Sequence, residues 1–184
     1  MRHGSVLFTG FLVAAMVLVP GQLLAQEAMA LSEPVKQHAF LERMVGTWEA
    51  RTSFWMEPGK PPIESTGVST NEMILGGRFL QSRFVGEMFG PFEGIGIDGF
   101  DRVKQKYVKL WMDNKGTMML MFEGEVQGNA RTLMAEMVGP DGELSRMKWV
   151  TTLVSDDQYR AEGYEGQADG GFRKTMEIVY TRRQ

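Results

Sequence analysis

Residues 106–138, KYVKLWMDNKGTMMLMFEGEVQGNARTLMAEMV, decide how this chain folds. They divide at Asn114-Lys115-Gly116 and at Gly128-Asn129 into three runs, 106–114, 117–126 and 130–138. The dividing residues tolerate the left-handed backbone that tight turns require, so each break reads as a hairpin. Connections this short leave no room for a crossover helix, and neighbouring strands must therefore pair antiparallel.

The same rhythm extends in both directions. Strands are expected at 46–55, 63–75, 78–87 and 92–100 before the central trio, and at 143–154, 158–168 and 172–182 after it. Their breaks carry Pro58-Gly59 with Pro61-Pro62, Gly76-Gly77, Gly90-Pro91, Asp141-Gly142 and Gly170-Gly171. Ahead of them Ser32, Glu33 and Pro34 suit a helix start, and a helix is expected over Val35–Met44. Ten strands in one small domain must split into a sandwich or close on themselves to remove their edges. Hairpin-length turns favour closure, which predicts an all-β, antiparallel up-and-down barrel of about ten strands with a short N-terminal helix.

The first 30 residues read as an address rather than as fold. Arg2 and His3 precede the uncharged run Ser5–Val19, and Pro20-Gly21 ends it. Ala25, or Ala30 in the A-x-A pattern Ala28-Met29-Ala30, offers a cleavage site, the layout of a secretory signal peptide. The apolar run of 15 residues falls short of the ~20 that span a bilayer. The expected organisation is a leader over 1–30 and a single barrel domain over 31–184, exported to the periplasm or beyond. An outer-membrane barrel needs a lipid-facing apolar row in every strand. The stretch 158–168, YRAEGYEG with its flanking polar residues, lacks one on both faces, so a protein without a membrane span is expected after leader removal.

Composition narrows the chemistry. A net charge of -3 argues against nucleic acid as a partner. The chain has no cysteine, which removes disulfides, thiolate metal sites and cysteine nucleophiles. After residue 30 the one histidine is His38, in the predicted helix, so neither a Ser-His-Asp triad nor a multi-histidine metal site is expected in the barrel. No metal and no cofactor are predicted. Gly94-Ile95-Gly96-Ile97-Asp98-Gly99 matches G-x-G-x-x-G, but a turn and a strand come next in the chain, not the helix a dinucleotide needs. Gly94 and Gly96 instead share a strand face, where they let the strand bend or a neighbouring ring lie close.

The segment Gly46-Thr47-Trp48, after a short helix and opening the first strand, resembles the G-x-W of lipocalins and fatty-acid-binding proteins, the calycin barrels. A fuller resemblance lies in Phe54-Trp55-Met56-Glu57-Pro58-Gly59, Glu72-Met73-Ile74-Leu75-Gly76-Gly77-Arg78-Phe79-Leu80, Phe92-Glu93-Gly94-Ile95-Gly96 and Trp111-Met112-Asp113. These resemble a bacterial family catalogued as domain of unknown function 1579, over residues from about 41 to 183. The resemblance implies a calycin-like barrel and no particular activity.

Within such a barrel Trp48, Ala50, Thr52 and Phe54 share the apolar, inward face of the first strand, and Trp48 is placed to plug one end against the helix. Trp111 shares its row with Tyr107, Lys109 and Asp113, a mixture that reads as outward or rim-facing. Arg78 and Arg83 lie on opposite faces of the third strand, so either row brings one arginine toward the lumen. It would be paired at the rim, with Glu72 as partner, or clamp an anionic ligand. Twelve of the 15 methionines follow residue 30 and suit either core filling or an adaptable apolar cavity.

The expected function is capture of a small lipophilic or amphipathic molecule in the lumen, with Trp48, Arg78, Arg83, Trp111, Asp113, Thr117 and Trp149 as the binding residues. Two alternatives share the fold. One is a cofactor-free isomerase or hydrolase working with a luminal carboxylate and arginine; the other is an envelope interaction module around a filled barrel.

Overall fold

The computed structural model describes residues 31–139 and 142–184. The leader over 1–30 and Asp141 of the predicted turn lie outside these residues. After a short helix α1 (His38–Glu42) come β1 (Gly46–Phe54), β2 (Ile63–Ile74), β3 (Phe79–Glu87), β4 (Pro91–Asp101) and β5 (Lys106–Asp113). The chain continues with β6 (Leu120–Gln127), β7 (Ala130–Val138), β8 (Leu144–Leu153), β9 (Gln158–Gly166) and β10 (Phe172–Arg182). Each strand pairs antiparallel with its sequence neighbours, and β1 pairs with β10 from Trp48↔Arg182 to Phe54↔Met176, closing the barrel. Closure leaves no edge strand among the described residues. The expected ten-stranded up-and-down barrel is what forms.

Most strand ends fall within two residues of expectation; the helix, which also ends at Glu42 rather than Met44, and β6 differ by more at their starts. The helix starts at His38 rather than Val35, because the His38 ring turns back and its Nδ1 accepts the Val35 N–H at 3.0 Å. β6 starts at Leu120 rather than 117, leaving 114–119 as a loop. Asn114 anchors that loop to β4: its N–H donates to the Glu93 carbonyl at 3.0 Å and its Oδ1 accepts the Glu93 N–H at 3.1 Å.

Alternation along the strands sorts one row inward. On β1 the buried positions are Trp48, Ala50 and Thr52; on β7 they are Arg131, Leu133 and Ala135. The α1 end is sealed by side chains that donate to backbone carbonyls on either side of the short helix. Trp48 Nε1 and Asn71 Nδ2 both donate to the Met44 carbonyl at 2.9 Å, and Tyr107 Oη donates to the Gln37 carbonyl at 2.8 Å. Arg182 lays its guanidinium 4.1 Å from the Trp48 ring and donates to the Val45 carbonyl at 2.8 Å. Trp48 meets Tyr159 edge-on at 4.7 Å, and Tyr159 stacks on Tyr180 at 4.2 Å. Trp48 thus plugs this end of the barrel. No described helix is long and apolar enough to cross a membrane.

Candidate functional site

Above the sealed end the inward rows leave a cavity of about 230 Å³. Apolar side chains form its walls, among them Leu80, Phe84, Phe92, Phe122 and Ile178. Met147 and Met176 line it without filling it. Trp111 lies flat over β4 because Gly94 and Gly96 present no side chain: a Cβ on Gly94 would sit inside the contact distance of the indole. The glycines of the G-x-G-x-x-G segment are therefore a seat for a ring, as expected. Of the two expected placements of Trp111, outward and rim, the outward one is corrected: its ring faces inward and lines the cavity.

The floor is charged. Asp98 on β4 receives a hydrogen bond from Arg131 Nη2 at Oδ1 (2.6 Å) and from Lys109 Nζ at Oδ2 (2.9 Å). Asp98 and Arg131 are each 2% exposed and Lys109 11%. Burial alone would push the Asp98 carboxyl up; Lys109 and Arg131 outweigh that and hold it below the ordinary carboxylate value. Arg131 Nε and Nη1 are buried without a hydrogen-bond partner, and the guanidinium lies 5.6 Å from the Phe40 ring and 5.9 Å from the Tyr107 ring. Beside this triad Ser69 Oγ donates to Asn71 Oδ1 at 2.7 Å, and Asn71 Nδ2 donates to Tyr159 Oη at 3.2 Å. Burial pushes the Tyr159 phenol well above its ordinary value, so it stays neutral. Such a floor holds charge and donates hydrogen bonds. It does not offer a free base, since both Asp98 oxygens are engaged and the carboxylate is a weak proton acceptor.

The expected residues scatter. Trp111, Asp113 and Trp149 line the cavity, with Trp111 Nε1 donating to Asp113 Oδ2 at 2.9 Å toward the end opposite α1. Trp48 lies beneath the floor as the plug, not among the lining side chains. Thr117 is exposed in the 114–119 loop. Neither expected arginine enters the lumen. The inward row of β3 is Leu80, Ser82 and Phe84, so Arg83 faces outward and pairs with Glu93 at 2.7 Å, not with Glu72. Arg78 belongs to that inward row by parity but precedes the strand, and its Nη1 donates to the Leu75 carbonyl at 3.1 Å in the turn. The arginine that does enter is Arg131. The sequence carries a signal for it: in Arg131-Thr132-Leu133-Met134-Ala135 a lone charge heads the apolar row of Leu133 and Ala135. Asp98 is likewise in phase with Gly94 and Gly96.

A model of the family described as "Protein of unknown function (DUF1579)" matches residues 33–182. No curated protein gives a significant match. Among solved structures, that of Rv2717c from M. tuberculosis is similar at a TM-score of 0.55 and 13% identity, covering 83% of this chain and 100% of that one. A redesigned beta barrel is similar at a TM-score of 0.43 and 12% identity, covering 78% of this chain and 94% of that one. At such identities the likeness to Rv2717c concerns the fold alone.

Proposed function

The chain belongs to the DUF1579 family, whose description names no activity, and from that premise we propose that it is an exported protein whose barrel binds a small amphipathic molecule in its lumen. The observation that carries this reading is the cavity of about 230 Å³, with apolar walls above a polar, charged floor. Enclosed apolar space with a few convergent polar groups is the usual form of a small-molecule site. The volume lies below the ~300 Å³ at which sites for drug-sized ligands begin, so the ligand is a small one. A cavity of this size forfeits contacts that a packed interior makes, which a core built only for stability would avoid. The engagement of Asp98 by two cations weighs against acid–base catalysis on that carboxylate.

Non-denaturing mass spectrometry of the protein purified from its own host's envelope fraction tests the reading. A bound mass that organic extraction removes is expected. It should be missing from an Ala161→Phe variant, which fills the lumen from β9 with the barrel's circular dichroism retained. An apo mass in the unextracted wild type overturns the reading.

A further inference from the structure

We propose that the luminal ligand carries a single negative charge, a carboxylate, and that this head is seated at the floor on Lys109 with Arg131 behind it. The inference rests on the luminal binding reading above and adds the chemical class of the ligand and its orientation.

Charge balance comes first. The floor holds two cations, Lys109 and Arg131, against one anion, Asp98, in a setting where burial is almost complete. A buried charge without a partner is costly, and a charge that cannot be shed, as on a guanidinium, has to be met by an anion. The other carboxylates lining the cavity are Glu87 and Asp113, the last residues of β3 and β5. Asp113 is four residues from Lys109 along β5, roughly 13 Å at ~3.3 Å per residue. It is already engaged by Trp111 Nε1 and by the Lys115 N–H at 3.0 Å. It does not neutralise the floor.

Hydrogen-bond capacity points the same way. An ammonium has three donors, and Lys109 gives one of them to Asp98. Lys109 is also the most exposed of the three floor charges, and since it lines the cavity its free donors are within reach of a luminal acceptor. Arg131 retains two nitrogens with no acceptor. Both are buried, and the guanidinium carbon lies over the Phe40 and Tyr107 rings, so Arg131 contributes its field while the more exposed Lys109 makes the direct bond. Asp98 bridges the two and fixes the positions of both cations. Above this seat the walls are Phe, Leu, Ile and Met side chains, which match an unbranched or aromatic hydrocarbon body pointing away from α1.

Titration of the purified, extracted protein with octanoate and with octanol, read by the fluorescence of Trp111 and Trp149 in the wall, tests the inference. Octanoate is expected to bind at least tenfold more tightly than octanol at neutral pH. A Lys109→Met variant should lose that preference while holding its affinity for octanol, and Lys109→Arg should keep the preference. Equal affinities for the two probes in the wild-type protein overturn the anionic head and leave the luminal site standing. Binding of neither probe overturns both. The wild-type comparison decides the matter even where a variant fails to fold.

Discussion

Asp98 is the anion of the floor triad, and each of its two oxygens holds a different cation. Removing one partner from a buried pair leaves an uncompensated charge, at a cost of about 3–5 kcal/mol. Urea unfolding at neutral pH should show a loss of that size for Asp98→Asn. The carboxyl's folded value is depressed, so its contribution is complete above the ordinary value of about 3.9 and fades as pH falls from there through the folded value. Unfolding midpoints followed down through the acid range should therefore fall more steeply in the wild-type protein than in Asp98→Asn. A variant with an unchanged acid slope would show that Asp98 is not a linked group. At the plug, Trp48→Phe removes the bond to the Met44 carbonyl, which Asn71 continues to donate to. The carbonyl stays satisfied, and the expected cost is about 1 kcal/mol by the same unfolding measurement.

At the level of elements, turn chemistry places the strands and glycine spacing sets how closely they pack. The expected breaks at Gly76-Gly77, Gly128 and Gly170 all carry left-handed glycines with φ between 62° and 87°. The sequence suggests a tighter turn than the 114–119 loop, because Thr117, Met118 and Met119 are as compatible with a strand as with a loop until Asn114 is seen tied to β4. Two glycines inside strands make a discriminating pair. A Cβ at Gly124 on β6 would collide with the Thr132 carbonyl oxygen and lie 2.9 Å from Leu133 Cα, both backbone atoms of β7 that cannot yield without parting the strands. A Cβ at Gly94 would meet the Trp111 ring first, a side chain that can move. Gly124→Ala should therefore be the more destabilising, by about 1–3 kcal/mol, with little change at the lumen. Gly94→Ala should shift the tryptophan emission and weaken octanol binding as the indole moves into the cavity.

For the whole molecule, closure of β1 on β10 turns one row of side chains from every strand into a shared interior. The cavity is a property of that closure and belongs to no single element. Export is a whole-molecule expectation as well. Removing 25 or 30 residues from 184 leaves 159 or 154, and the intact mass of the envelope-purified protein should match one of the two. A full-length mass there would overturn leader cleavage. Hairpin spacing, alternation and the G-x-W segment determined the strand count, the meander and the plug at Trp48 from sequence alone, since these depend on neighbours within a strand or a turn. Only the tertiary structure decided which charges share the floor. Asp98 and Arg131 are 33 residues apart, and Arg78 and Arg83 look equally fit for the lumen by strand parity. Which arginine enters depends on strand ends and on the register of the closed barrel, where a one-residue shift exchanges inside for outside.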